Sequence, residues 1–391
     1  MRKILHFDLD AFFCAVEAIL NPDLRGLAFV VAGRAEARGV VSSASYEARK
    51  FGVHSAMPTA VAQRLCRDLV VVPGRHREYG EHSQRVMALV RASAPVVEPI
   101  SIDEAFLDVS DDPRLGGEIA RDLQSQIRVR FSLPSSWGVA TSKLVAKIAT
   151  EVGKPEGLVV VPAGEEAAFL APLPLRYLMG VGPKTHERLE KEGIHRIGDL
   201  ADMAPSRLEA LLGPHGPDLI LRAMGIDDRP VVESRRRVSL SSERTFVRDV
   251  SSAARLRREL ISLSEEVGGR LRAEALAGRT VRLKVRWPDF RTVTRQVQLG
   301  QPTDQDREIF DAAWRLFVHV WRPGRAVRLL GVAASDLASP LRQLDLFDHA
   351  WKQDARLLQA IDAIRTKYGQ RALTRAAALM QTGARRDEDS T

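Results

Sequence analysis

The spacing of apolar residues changes period several times along the chain. RKILHFDLD opens it as a short apolar run and reads as a strand. AFFCAVEAIL follows with helical spacing and stops at Asn21-Pro22, where proline cannot continue a helix. LAFVVAG is a second apolar strand ending in Gly33, and VVSSASYEARKFGV reads as a strand running into a short helix. Between Pro73 and Pro95, REYGEHSQRVMALVRAS is helical. VVEPISIDEAFLDVS alternates on both sides of a polar turn and predicts two strands. GGEIARDLQSQIRVRF then reads as a helix, SSWGVA as a strand and SKLVAKIATEVG as a further helix. Strands and helices mixed in this way up to about residue 165 predict an α+β domain.

From about 170 to 230 the pattern is helical and punctuated by glycines. VVESRRRVS is polar and basic and reads as a linker joined to the strand after it. From about 236 to 338 the order is strand, helix, strand, strand, helix, strand, a split β-α-β repeat. Residues 339–347 look extended, helical spacing returns over 350–380, and RRDEDST is expected to be a disordered end. The chain shows no long-period repeat and no low-complexity tract.

At 391 residues the chain is long enough for several domains. No apolar run reaches the ~18–20 residues that span a bilayer, and the N-terminus carries an acidic pair where a signal peptide needs its apolar stretch. A cytoplasmic protein without a membrane partner is expected. Cys14 and Cys66 lie far apart, which excludes a cysteine-based zinc site and suits a reducing compartment. Both read as small buried hydrophobes. The formal charge of +8 is concentrated: between Arg235 and Arg328, 21 Lys and Arg stand against 11 Asp and Glu, so the remainder is slightly acidic. A basic block confined to one region suits a polyanion such as nucleic acid.

The candidate chemistry begins with carboxylates. FDLD puts Asp8 and Asp10 on one side of a strand end, and SIDE puts Asp103 and Glu104 in a turn between strands. Gathered in one pocket, such acids repel unless divalent cations neutralise them. Two metal ions about 4 Å apart stabilise the attacking and leaving oxygens of a phosphoryl transfer. Taken singly, each motif is a weak signal and reads more readily as solvated turn residues. YEAR offers Tyr46 and Arg49 three residues apart on one helix face, and GKPEG holds Lys154 between Gly and Pro.

HFDLDAFFCAVE, SASYEARKFGVHSAMP, PISIDEAFLDV, GVATSKLVAKIAT and GKPEG, in this order and at these separations, resemble the Y-family of DNA polymerases. The likeness covers about residues 1–345. It implies a right-hand architecture: a palm (1–10 and 75–167), fingers (11–74), a helical thumb (168–232), a linker (233–238) and a βαββαβ little-finger domain (239–338). It also implies template-directed translesion synthesis, with low fidelity and no proofreading, through two Mg²⁺ ions. By the resemblance, Asp8, Asp103 and Glu104 are the catalytic metal-binding acids and the Leu9 carbonyl is a further ligand. Asp10 is not taken as a ligand. Tyr46, Arg49 and Lys154 match triphosphate-binding positions, and Ser42 and Ala44 lie over the nascent base pair, where small side chains leave room for a distorted template base. Phe13 matches the steric gate that excludes a ribose 2′-hydroxyl. Its neighbour Phe12, counted with the nucleotide-binding residues, also fits an ordinary core position. Expected partners are primer–template DNA and a dNTP, bound by a monomer.

MGVGPKTHERLEKEGI resembles a helix-hairpin-helix, in which Gly180, Gly182 and Lys184 would meet a DNA phosphate. In TVRLKVRW, Val281, Leu283, Val285 and Trp287 face one way and Arg282, Lys284 and Arg286 the other. The basic face is expected to meet DNA, with Arg295 extending it. RQLDLFD, with Gln343, Leu344, Leu346 and Phe347, looks like the bacterial sliding-clamp-binding peptide, here internal and followed by residues 348–391. A non-catalytic scaffold that binds clamp and partners is the alternative reading, although the acids are present. A two-metal nuclease is a third, and the triphosphate set argues against it.

Overall fold

The computed structural model describes residues 1–234, 236–340, 349–369 and 372–373. The predicted clamp peptide, Gln343 to Phe347, lies outside them. The chain forms two compact units, Met1–Arg235 and Arg236–Thr391.

In the first unit, β1 (Ile4–Leu9) leads into α1 (Phe12–Leu20), then β2 (Phe29–Ala32), β3 (Val41–Ala44), α2 (Tyr46–Arg49), α3 (Thr59–Leu65) and β4 (Val70–Val72). α4 (His76–Ser93), β5 (Val96–Pro99), β6 (Glu104–Asp108), α5 (Gly116–Phe131), β7 (Ser135–Ala140), α6 (Lys143–Gly153) and β8 (Leu158–Val160) follow. The strands form a five-stranded sheet ordered β5-β6-β1-β7-β8 and a small sheet ordered β3-β2-β4. α3 and β4 were not foreseen from the sequence; both are short, and β4 is a half-exposed Val-Val-Val run without alternation.

The central position of β1 follows from its composition. Strands buried on both faces need apolar residues at odd and even positions, and Ile4, Leu5, Phe7 and Leu9 are all at most 1% exposed. Leu5, Phe7 and Leu9 pack with Tyr79, Val86 and Val90 of α4 and with Ile119, Leu123 and Ile127 of α5. Ile4 lies on the opposite face with Phe106 and with Leu144, Val145 and Ile148 of α6. Gly138 lets α6 approach: a Cβ there would stand 2.0 Å from the Ala146 carbonyl oxygen.

α6 carries Lys143, Lys147 and Thr150 at helical spacing, with Lys154 just beyond its end. Each lysine meets a carboxylate of the sheet: Lys143 meets Glu98, Lys147 meets Glu104 and Lys154 meets Asp8. Lys143 and Glu98 are both about 2% exposed, and the Glu98 carboxylate also accepts from the backbone N–H of Val232 at 3.0 Å. That buried pair ties the end of the first unit to its main sheet.

The helices α7 (Glu166–Leu170), α8 (Pro183–Lys191), α9 (Ile197–Ala201), α10 (Pro205–Leu212) and α11 (Asp218–Ala223) pack through Leu170, Leu189, Ile197, Leu200, Leu208 and Leu219.

The second unit runs β9 (Ser239–Val250), α12 (Ala253–Ala273), β10 (Ala277–Arg286), β11 (Thr292–Thr303), α13 (Asp306–Val320), β12 (Val327–Ala338) and α14 (His349–Tyr368). Its antiparallel sheet is ordered β11-β10-β12-β9, the split βαββαβ arrangement. Val281, Leu283, Val285 and Trp287 are buried with Leu256, Leu260 and Leu263 of α12 and Ile309 and Phe317 of α13. α14 joins this unit: Asp362 receives the Arg272 guanidinium at 2.6 Å, and Arg365 reaches Glu265 at 2.8 Å.

Candidate active site and nucleic-acid interface

The site grows from the register of β1. Asp8 stands opposite Glu104 of β6, and His6 opposite Phe106. Directly opposed residues of an antiparallel pair point to the same face, so Asp8, Glu104 and His6 share the face covered by α6. Asp103 ends the preceding turn, where its carbonyl accepts from the Leu9 N–H at 2.9 Å. The three acids are thus brought to one end of neighbouring strands, with the Leu9 backbone between them.

Their electrostatics differ. Burial pushes Asp8 up to about 6; Asp103 and Glu104 add to that rise, and Lys154, at 2.9 Å, only partly offsets it. Burial also disfavours ionised Glu104, but hydrogen bonds from His6 and Lys147 outweigh it and hold the acid at about 2. His6 is 1% exposed and burial pushes it down to about 4. It is therefore neutral near pH 7, with Nε2 donating to Glu104 at 3.1 Å and Nδ1 accepting from the Thr150 hydroxyl at 2.9 Å. Burial works against charged Lys154, yet Asp8 and Glu151 hold its pKa above the ordinary lysine value.

The donor set fits a hard divalent cation. Carboxylate oxygens are the ligands such ions take, and Asp8, Asp103 and Glu104 stand together at one end of neighbouring strands. Among the described residues no three acidic, His or Cys side chains are gathered as a ready-made metal cage. Each acid has its own partners: Asp8 meets Lys154, Glu104 meets Lys147 and His6, and Asp103 meets Ser101.

The other predicted pocket residues fall around this cluster in different ways. Phe13 is half-buried; its ring stacks on Tyr79 with centroids 4.3 Å apart and planes at 15°. The Tyr79 hydroxyl donates to Glu17 at 2.5 Å, and Glu17, wholly buried, also receives Arg75. Phe12 is 3% exposed and belongs to the core, so its side chain does not line a pocket. What it offers is a backbone N–H in the first turn of α1, whose N-terminus no side chain caps. The Tyr46 hydroxyl donates to Asp10 at 3.0 Å. The Arg49 guanidinium lies 4.6 Å over the Tyr46 ring, and its Nε donates to the Ala44 carbonyl at 3.1 Å. Ser42 is exposed on β3, whereas the Ala44 side chain has no exposed surface and packs in the small sheet's core. Sequence reasoning missed His6, Lys147, Thr150, Ser136 and the Tyr79–Glu17–Arg75 set. The Lys143-Lys147-Thr150-Lys154 spacing was a visible signal for one helix face turned to acids.

Gly182 forms the N-terminal cap of α8, and a Cβ added there would meet nothing within 4 Å, so the backbone at this turn is open. Gly180 has φ +101° and supplies the turn before it. Lys184 is exposed in the first turn of α8. In the second unit Arg282, Lys284 and Arg286 stand on the face away from the helices. Lys284 bridges Glu243 at 2.7 Å across Gly331, and Arg282 donates to Gln296. Arg295 does not extend this face. It stands opposite Leu283 in the β10–β11 register, and therefore on the helix-bearing side; Thr292, Thr294 and Gln296 are the β11 residues opposite Arg286, Lys284 and Arg282. The cause is strand parity, since a shift of one residue changes the face. No helix among the described residues is long and apolar enough to cross a membrane.

Residues 7–151 match the impB/mucB/samB family and residues 237–346 match the impB/mucB/samB family C-terminal domain. The DNA polymerase IV of Dehalococcoides mccartyi (strain CBDB1) is 43% identical over 374 residues, covering 94% of this chain and 95% of that one. The DNA polymerase IV of Streptomyces coelicolor is 44% identical over 358 residues, covering 89% of this chain and 73% of that one. Among solved structures, the Y-family DNA polymerase chimera Dbh-Dpo4(243-245)-Dbh superposes with TM-score 0.77 at 27% identity, over 85% of this chain and 98% of that one. DinB from Sulfolobus solfataricus gives TM-score 0.61 at 26% identity, with the same shares covered. The chain belongs to the Y-family of DNA polymerases, the family of translesion enzymes. It is a DNA-directed DNA polymerase, and so a metal-dependent nucleotidyltransferase acting on DNA and nucleotides, and its curated relatives carry the name DNA polymerase IV.

Proposed function

We propose that this polymerase extends primers past damaged template bases with low fidelity, using Asp8, Asp103 and Glu104 to hold two Mg²⁺ ions. The observation that carries the reading is the register that sets Asp8 against Glu104 beside Asp103, with Lys154 on Asp8 and the uncapped start of α1 close by in the chain. When bound, the ions would lower the charge of the reacting phosphate and favour the ionised primer hydroxyl. The primer 3′-hydroxyl attacks the α-phosphate of the dNTP, the bond to the bridging oxygen breaks, and pyrophosphate leaves. Lys154 and Arg49 bind and orient the triphosphate, and the Tyr46 ring supports the Arg49 guanidinium that lies 4.6 Å over it. Phe13 lies beneath the sugar. Short fingers with small residues such as Ser42 check base-pair shape weakly, which supports both bypass and low fidelity. DNA is held through phosphates, by the α8 turn at Gly180, Gly182 and Lys184 and by Arg282, Lys284 and Arg286. Gln343, Leu344, Leu346 and Phe347 recruit the monomer to the sliding clamp.

The phosphate-contact reading predicts the salt response. The logarithm of DNA affinity should fall linearly with the logarithm of salt, by about 0.9 per phosphate neutralised. Arg282→Ala and Arg286→Ala should each reduce that slope by about 1 without changing sequence preference, as fluorescence anisotropy would show. Lys284→Ala should change it less, because Glu243 already neutralises that side chain.

Primer extension on templates bearing an abasic site or a bulky adduct tests the function itself. Extension through the lesion, stimulated by the clamp and no longer stimulated after Leu346→Ala and Phe347→Ala, is expected. Arrest opposite every lesion, with normal synthesis on undamaged template, would overturn it.

A further inference from the structure

Asp10 sits in the FDLD motif, is only 1% exposed, and is no member of the acid cluster. Its carboxylate is instead a junction. Oδ1 lies 3.0 Å from the Tyr46 hydroxyl and 3.0 Å from the Ser136 hydroxyl. Oδ2 lies 2.9 Å from that same Ser136 hydroxyl and accepts from the Glu156 N–H at 2.9 Å. Its own backbone N–H donates to the Pro134 carbonyl at 3.0 Å. One carboxylate thus ties α2 of the fingers to β7 of the main sheet and to the turn that carries Lys154, two residues before Glu156.

We propose that Asp10 is a positioning residue for the nucleotide: it fixes Tyr46 and the Lys154 turn relative to each other. The proposal rests on reading Arg49, which lies over the Tyr46 ring, and Lys154 as triphosphate ligands. Tyr46 and Lys154 come from segments far apart in sequence. A buried carboxylate that accepts from the Tyr46 hydroxyl and from the Glu156 N–H, two residues past Lys154, restrains their independent motion, so the spacing of the Arg49 and Lys154 phosphate contacts is set before the nucleotide arrives. Arg49 lies over the Tyr46 ring, so its position is fixed by the same contact. Both oxygens of the carboxylate accept from these donors. An asparagine would keep its carbonyl for the Glu156 N–H, which cannot accept, and turn its amide to the hydroxyls of Tyr46 and Ser136, which can.

Steady-state single-nucleotide extension at saturating primer–template tests this. Asp10→Ala should raise the dNTP KM roughly 10-fold, with a much smaller change in kcat and no change in DNA affinity, and Asp10→Asn should recover most of the loss. Tyr46→Phe should add less to KM in the Asp10→Ala background than in the wild type, because both act through one contact. A fall in kcat at unchanged KM, or full additivity with Tyr46→Phe, would overturn the proposal. If Asp10→Ala does not fold, Ser136→Ala removes one donor from the junction and should shift KM in the same direction; unchanged KM in that folded variant overturns it equally. Lys154→Ala separates the two layers. If it leaves KM unchanged, the triphosphate reading itself has failed. If it raises KM and Asp10→Ala does not, only the role of Asp10 has failed.

Discussion

Asp103→Ala is expected to lower the single-turnover rate of primer extension by roughly 10³-fold or more, since a lost metal ligand removes about 4 kcal/mol of transition-state stabilisation. DNA affinity and melting temperature should change little. The reason lies in how the three acids are held. Removing Glu104 would take the carboxylate partner from Lys147 and from the buried His6, and removing Asp8 would leave Lys154 to its exposed partner Glu151. Those variants mix lost catalysis with misplaced cations. Among the described residues the Asp103 side chain is engaged by Ser101 alone, in an exposed turn, and the backbone bond from Leu9 to its carbonyl survives truncation. It is the cleanest probe of the three. Rapid-quench extension beside anisotropy titration of primer–template would show the split, and a rate within tenfold of wild type would remove Asp103 from the catalytic set.

Phe13→Ala is expected to reduce discrimination against ribonucleotides by roughly 10²-fold, with dNTP incorporation largely retained. A pocket that excludes one hydroxyl by shape is worth about that much. The ring can act as a wall because it cannot retreat. It stacks on Tyr79, Tyr79 is pinned by its hydroxyl to Glu17, and Glu17 is paired with Arg75. The measurement is the ratio of kcat/KM for a dNTP to that for the matching NTP. An unchanged ratio would exclude Phe13 as the sugar gate.

Much of the fold was legible in apolar spacing. The run at Ile4–Leu9 reads as a short apolar strand and forms the centre of its sheet, and the alternation of TVRLKVRW places Trp287 inward and Arg286 outward. Local pattern failed where register decides. Arg295 lies in an alternating strand, but only its pairing with Leu283 shows that it points to the helices. The site was legible as a set of residue types, and its second layer was not. Glu17, Arg75 and Tyr79 come from α1, the residue before α4, and α4, and a carboxylate in AFFCAVEAIL gives no sign that it is wholly buried. Asp10 and Asp8 look equivalent in FDLD, yet one receives Lys154 and the other two hydroxyls and an N–H. Burial and long-range partners made that distinction, and spacing carries neither.

The central claim is that Asp8, Asp103 and Glu104 hold the metal ions of the polymerase reaction. Its most direct measurement is the number of Mn²⁺ ions, standing in for Mg²⁺, bound per chain with a dideoxy-terminated primer, template and the matching dNTP, read by electron paramagnetic resonance. About two ions are predicted for the wild type, with clear loss in Asp103→Ala at unchanged DNA occupancy. Equal Mn²⁺ binding by both proteins would contradict the account.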